Sequence, residues 1–421
     1  MAISIETAAL ANFFVAVLML LFSSHFFGYL LGRFSIPRVV GEIFGGLVLG
    51  PTLLGHFFPQ TYAAIFLDQG LLLAGLYWIG LVLLMFISGF ELAPGVESKD
   101  RRTIAALVLG TTTIPLLCGW ALTSFFDLGA WMGPAQNELA LKLVVTVALA
   151  VTSIPVISKI FLDLGVIQTR FAKIVLATAT IHDIILWVFV SVATGLVAAQ
   201  ALSLAGIASY VLVTVLFFMA ALLLMPRIFK LVSERKPHLI PDSYESAFMV
   251  LILLLFTAVA GGLQVNLVFG ALLAGVVVNS IQSRRFEDAK RHVKEFSMAF
   301  FVPIYFGVVG LKLDLLRHLD PVSVLTFIAF AMAVQTAAVL LTTRLLRYDW
   351  RSGFNLAMAL NNRGGPCIVL ATLALDVGII SGAFFTALVL LAIFTSMTAG
   401  LWLKYVLERK WPLLQGEQAD G

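Results

Sequence analysis

The stretch ATATIHDIILW, residues 177–187, sets Asp183 beside His182 in a run with no other charge. A carboxylate in such a place binds a hard monovalent cation when ionised and a proton when neutral. Burial that raises its pKa towards the working pH lets one group serve two competing ions. The structural alternative is an ion pair with Arg363, another charge inside an apolar run, made only to hold helices together. His182 is open to three roles: a second group titrating near neutral pH, a hydrogen-bonding core residue, or a cap on a neighbouring helix end. Neighbours in a helix point about 100° apart, so the pair cannot both aim at one small site, although both can border one cavity. Two further stretches carry suitable residue types. VTSIPVISK (151–159) places Pro155, which removes a backbone donor, beside Thr152 and Ser153. NNRGGPCIV (361–369) puts Asn361, Asn362 and Arg363 ahead of two glycines and a proline. Interrupted helices free carbonyls and amides that can face a cation or a carboxylate. Glu42 and Glu91 also fall in apolar segments, nearer to their ends. Cys118 and Cys367 lie in apolar runs and suggest neither a disulfide framework nor a thiolate metal site.

The elements that must position these groups are membrane helices. Hydrophobic residues make up 61% of 421 and charged residues 12%, a composition of multi-spanning membrane proteins rather than soluble enzymes. The net charge of +4 then carries no signal for nucleic acid, and no such partner is expected. A cleavable signal peptide is not expected either, because the first apolar segment lacks a basic flank and is too long. Polar breaks divide the chain into about thirteen segments, near 8–31, 38–55, 70–91, 102–126, 139–163, 171–198, 203–230, 244–261, 264–280, 296–316, 322–343, 350–376 and 382–406. Unpaired backbone groups in lipid are costly and the alternation of a barrel is missing, so the expected fold class is an all-α polytopic membrane protein. Asp183 falls twelve residues into the sixth segment, close to the bilayer centre.

If the segments alternate, 23 basic residues collect on one side and three, Lys142, Lys312 and Arg317, on the other. This predicts an outside N-terminus and a cytoplasmic C-terminus. An internal repeat is also visible. VGEIFGGLVL (40–49) aligns with FGALLAGVVV (269–278), FISGFEL (86–92) with GVVGLKL (307–313), and FLDLGVI (161–167) with ALDVGII (374–380). The pairs lie seven segments apart, an odd number, so the halves enter the bilayer from opposite sides, as in alternating-access transporters. The expected organisation is one exchanger domain over 1–421. It comprises a first repeat core at 38–198, a connecting helix at 203–230, a second, inverted repeat at 244–406 and a short cytosolic tail at 407–421.

PRVVGEIFGGLVLGPTLLG (37–55), GLYWIGLVLLMFISGFEL (75–92), the run from Val151 to Trp187, GLQVNLVFGALLAGVVV (262–278), FVPIYFGVVGLKLDLL (301–316) and NNRGG (361–365) extend over nearly the full chain. Together they resemble the type-2 group of monovalent cation:proton antiporters, the bacterial sodium/proton exchangers and potassium-efflux transporters. The resemblance implies a dimerising scaffold from segments 1–3 and 8–10 and a mobile core from 4–6 and 11–13, whose segments 5 and 12 break and cross. It implies that Asp183 alternately holds cation and proton beside Thr152 and Ser153 while the core moves like an elevator. Arg363, Asn361, Asn362, Pro155 and Glu42 then have supporting roles. Three positions depart from the family pattern: His182 stands where an acid or amide is common, Gln335 where lysine is frequent, and Arg363 is not soon followed by an acid. One carboxylate at the centre predicts one cation exchanged for one proton, an electroneutral cycle. The protein so read is a transporter and not an enzyme. It needs no cofactor beyond transported sodium or potassium and protons, and it sits in a plasma membrane, of the bacterial inner type, as a homodimer in the lipid bilayer. A sodium-coupled solute symporter on a related inverted-repeat fold is the alternative.

Overall fold

A computed structural model describes residues 7–33, 36–91, 100–125, 128–198, 204–224, 227, 244–263, 265–281 and 284–416; for residues 8, 91, 124, 125, 155, 183, 184, 198, 204–208, 210, 211, 222, 284 and 285, Pro155 and Asp183 among them, it describes only the backbone. Apart from one isolated β-bridge between Met132 and Ile380, regular structure among these residues is helical. Nine spans among the described residues are long and apolar enough to cross a membrane, two of them, Arg38–Phe57 and Phe286–Leu311, each joining successive helices, so the chain is an all-α polytopic membrane protein.

Four of the thirteen expected segments are not among those nine. Segment 5 is two helices, Glu138–Ala150 (here α5) and Ile154–Asp163 (α6). Segment 12 is likewise two, Trp350–Leu360 (α14) and Gly364–Asp376 (α15). Segment 9 is a short helix, Leu267–Asn279 (α10), and segment 7 is described over Leu204–Met219 (α8) and Ala220–Leu224, its remainder being largely outside the described residues. Segment 10, expected from 296, falls in the apolar span Phe286–Leu311, which joins Phe301–Leu311 (α12) to the end of a charged helix, Arg284–Ala299 (α11). Within the stretch expected as a short cytosolic tail, Leu413 and Leu414 are buried.

The chain divides into two compact units, Met1–Leu92 with Ser209–His318 and Ala93–Ala208 with Leu319–Gly421. The first holds Thr7–Gly32 (α1), Arg38–Leu49 (α2), Gly70–Glu91 (α3), Glu245–Gly262 (α9) and α10 to α12. Its helices approach to backbone contact. A Cβ on Gly46 of α2 would overlap Gly307 O of α12, and one on Gly310 would overlap Ile43 O. A Cβ on Gly275 of α10 would overlap Phe86 O of α3, and one on Gly89 would overlap Leu272 O. Small residues permit this closeness, which supplies the packing that lipid does not drive.

The second unit holds Arg101–Phe125 (α4), α5, α6, Arg170–Ala198 (α7), Pro321–Leu345 (α13), α14, α15 and Gly382–Glu408 (α16). Its buried cluster includes Leu107, Phe161, Phe171, Val175, Leu356 and Leu403. Asn137 caps α5, accepting from Ala140 N at 2.9 Å, and Asp320 caps α13, accepting from Val322 N at 3.2 Å.

Candidate functional site

The two helix interruptions of the second unit meet each other. After α5 the backbone turns extended at Val151 and Ser153, and Pro155 takes the second position of α6, where a missing N–H leaves no helical bond unmade. The break is therefore the three residues ahead of the proline. After α14 the chain passes through Asn361, Asn362 and Arg363, and α15 starts at Gly364 with φ +37°. Glycine is needed there twice over, because an L side chain is strained at that φ and a Cβ would lie 2.6 Å from Ser153 Oγ.

Hydrogen bonds stitch the breaks together. Ser153 N donates to Asn362 O (2.6 Å), Asn362 Nδ2 to Ser153 O (3.3 Å) and Ser396 Oγ to Asn362 Oδ1 (2.8 Å). Leu360 O, at the end of α14, accepts from Thr152 Oγ1 (2.9 Å) and Gln335 Nε2 (3.5 Å). Ser153 Oγ and Gln335 Oε1 are buried with no hydrogen-bond partner among the described residues.

Arg363 is fully buried. Its Nε donates to Ala148 O (3.0 Å), Nη2 to Leu149 O and Ala331 O (both 2.9 Å), and Nη1 to Asn361 O (3.2 Å) and Asn361 Oδ1 (2.9 Å). One guanidinium thus neutralises carbonyls at the C-terminal end of α5 and just beyond α14, the negative ends of both helix dipoles. Its described partners are all carbonyl or amide oxygens. The expected alternative, a pair with Asp183, involves a side chain outside the described residues.

His182 is also fully buried and joins α4 and α7 to the first break. Its Nε2 lies 2.8 Å from Thr111 Oγ1 and its Nδ1 3.4 Å from Thr152 Oγ1. Both hydroxyls spend their single proton elsewhere, Thr111 on Leu107 O (2.5 Å) and Thr152 on Leu360 O (2.9 Å). Each therefore offers the imidazole only lone pairs. A neutral ring satisfies one of them, and the shorter contact points to Nε2–H donating to Thr111; a doubly protonated ring satisfies both. Asp183 follows in α7, so the backbone places it one position from the residue that touches Thr152.

Glu42, the supporting acid, lies in the first unit. It is buried and pairs with Arg38 Nε at 2.9 Å, and its Oε2 has no partner among the described residues. Sequence reasoning missed Asp100. It is buried one residue ahead of α4, and its Oδ1 accepts from both Nε (2.8 Å) and Nη2 (2.6 Å) of Arg170 at the start of α7. The run KDRR (99–102) reads as a solvated basic loop, and nothing local to it signals a partner seventy residues away.

The family model for the transmembrane sodium/hydrogen exchangers matches residues 14–409. The chain is 26% identical over 405 residues to the Na(+)/H(+) antiporter NhaS4 of Synechocystis sp. (strain ATCC 27184 / PCC 6803 / Kazusa), covering 93% of this chain and 96% of that protein. It is 26% identical over 411 residues to the Na(+)/H(+)-K(+) antiporter GerN of Bacillus cereus, covering 95% and 97%. Among solved structures, the sodium proton antiporter MjNhaP1 of Methanocaldococcus jannaschii matches with a TM-score of 0.64 at 14% identity, over 95% of this chain and 96% of the other.

Proposed function

Since the chain belongs to the transmembrane sodium/hydrogen exchanger family, we propose that Asp183 carries a monovalent cation and a proton in turn, and that the paired breaks form the rest of the ion site. The observation that carries the reading is the approach of His182 Nδ1 to Thr152 Oγ1 at 3.4 Å, which sets α7 beside the first break at the position next to Asp183. An ionised carboxylate there, with Thr152, Ser153 Oγ and the carbonyls freed by the break, offers oxygen ligands that suit a hard cation. Protonation of the carboxylate removes the charge that holds the cation, so the ions compete and exchange. Sodium, which the names of NhaS4 and GerN share, is the proposed cargo, and potassium, in GerN's name, the second.

The wider reading is thirteen crossings with the N-terminus outside, two inverted repeats and an elevator movement of the second unit in a homodimer. The glycine contacts support the repeat. Gly46 aligns with Gly275 and Gly89 with Gly310, and the α2–α12 contacts are reproduced, residue for residue, by α10–α3. A single carboxylate gives a one-for-one cycle that moves no net charge.

A second reading makes Asp100, a buried acid of this unit, the carrier. Against it, Oδ1 is already occupied by Arg170, and Asp100 stands ahead of a helix rather than within one. The deciding experiment compares Asp183→Asn and Asp100→Asn in proteoliposomes with a trapped pH-sensitive dye. Asp183→Asn should lose cation-driven proton flux while unfolding at the wild-type temperature; Asp100→Asn should keep flux per folded molecule. Near-normal flux in Asp183→Asn would end the assignment.

A further inference from the structure

Where α13 ends and α14 begins, the second unit contains a cavity of about 310 Å³. Leu340, Phe354 and Trp402 form its apolar wall, and the chain returning after α16 closes it with Trp411 and Pro412. That return is fixed by side chains: Asn355 Nδ2 donates to Leu413 O (3.1 Å), Trp402 Nε1 to Asn355 Oδ1 (3.0 Å), and Gln415 N to Ser352 Oγ (2.7 Å). Leu341, Leu345 and Leu401, all exposed, continue the apolar surface along α13 and α16.

The charge around the cavity is one-sided. Arg351 lines it, and its guanidinium lies 5.1 Å from the ring centre of Trp411; Arg409 lies 5.5 Å from the same ring, and Arg344 4.7 Å from that of Trp350. All three are exposed, and among the described residues none forms an ion pair. Arg344 gives one bond to Tyr348 O (3.1 Å). Of the neighbouring acids, Glu408 faces Lys404 at 4.0 Å and Asp349 stands at the N-terminus of α14, and neither lines the cavity. A guanidinium stacked on a ring keeps its N–H edge available for an anion. Tryptophans and arginines at helix ends are also the composition of a membrane interface.

We propose that this cavity binds one anionic phospholipid, with an acyl chain against the wall formed by Leu340 and the contacting rings of Phe354 and Trp402 and the phosphate held by Arg351 with Arg344 and Arg409. Apolar walls that open onto uncompensated guanidiniums fit a molecule that is apolar at one end and negative at the other. The inference is independent of which residue carries the ion.

The test uses the purified full chain in detergent, read by native mass spectrometry for retained lipid and by thermal unfolding. Phosphatidylglycerol, phosphatidylcholine and inorganic phosphate are added separately. Phosphatidylglycerol should be retained and should raise the unfolding temperature, whereas phosphatidylcholine and phosphate should do neither. A basic residue near an anionic headgroup strengthens binding about fivefold, so Arg351→Gln with Arg409→Gln should weaken phosphatidylglycerol roughly 25-fold. Leu340→Trp, which fills the cavity and leaves the charges, should also remove retention; the two exposed arginines keep the test independent of how that variant folds. Equal retention of phosphatidylcholine, unchanged phosphatidylglycerol binding in the arginine variant, or the same thermal shift from phosphate alone would each overturn the proposal.

Discussion

Replacing Arg363 with alanine removes five side-chain hydrogen bonds at once, to Ala148 O, Leu149 O, Ala331 O, Asn361 O and Asn361 Oδ1. Hydrogen bonds between transmembrane helices average about 0.6 kcal/mol, which sets a lower limit of about 3 kcal/mol for the set. Bonds to a charged group are stronger, and at about 1.5 kcal/mol each the set reaches roughly 7 kcal/mol. Lysine keeps the charge but has three donors, so Arg363→Lys loses at least two of the five bonds and about 1–3 kcal/mol. For a unit of this size each kcal/mol moves the midpoint by about 2–4 °C, so alanine should lower the unfolding temperature by at least roughly 6 °C. Tryptophan fluorescence of purified protein in detergent measures it, with Trp187 and Trp402 in the same unit. High salt should leave the difference unchanged, because the described partners are carbonyl and amide oxygens inside the unit. A shift below about 2 °C for alanine would refute the capping argument. Equal shifts for lysine and alanine would refute the part that counts donors, since the two differ in how many oxygens they can serve.

Thr152→Val removes the hydroxyl that bonds Leu360 O and lies beside His182, so exchange per folded molecule should fall about tenfold, the equivalent of one lost hydrogen bond of about 1.4 kcal/mol, while Thr152→Ser should stay near wild type; dye-based flux in proteoliposomes separates them. Gly46→Ala forces α2 from α12 and should cost about 1–3 kcal/mol or more, and Gly275→Ala should match it if the repeat reading holds, which thermal unfolding checks. Asp100→Asn weakens the tie to Arg170 and should lower the unfolding temperature with little change in flux per folded molecule. Sodium-driven proton flux should be indifferent to a valinomycin-imposed potential, because an electrogenic cycle would feel about 2.3 kcal/mol per charge for each 100 mV. If one polarity does accelerate flux and His182→Asn abolishes that response, His182 is the second proton carrier.

The spans were legible because hydropathy is a local property of composition, and the breaks because proline and glycine act locally on the backbone. Their placement was legible too: a residue without an N–H is best tolerated at the start of a helix, so Pro155 points to an opening ahead of it, and the opening lies in Val151, Thr152 and Ser153. What the sequence could not convey is pairing over distance with groups that every residue has. Arg363 ends on the carbonyls of Ala148, Leu149 and Ala331, and a backbone carbonyl leaves no signature in a sequence. The burial of Leu413 and Leu414 within the expected cytosolic tail is of the same kind, since the chain there is held by the amide of Asn355, fifty-eight residues earlier than Leu413.

Four glycines of the first unit and Gly364 of the second do different physical work. In the first, Gly46, Gly89, Gly275 and Gly310 bring backbones into contact, and such contact leaves no freedom to slide without separating the helices. In the second, Gly364 bends the chain at φ +37° so that two interrupted helices can exchange hydrogen bonds through Ser153, Asn362 and Ser396. Those bonds are directional, but each group has other partners it can reach, and Ser153 Oγ and Gln335 Oε1 still have acceptor capacity. An exchanger must change which ion its site holds at small energetic cost. A polar junction with spare oxygens can do this, whereas helices locked at backbone distance cannot. Under the proposed assignment of Asp183, the ion chemistry therefore belongs to this polar junction rather than to helices held at backbone distance.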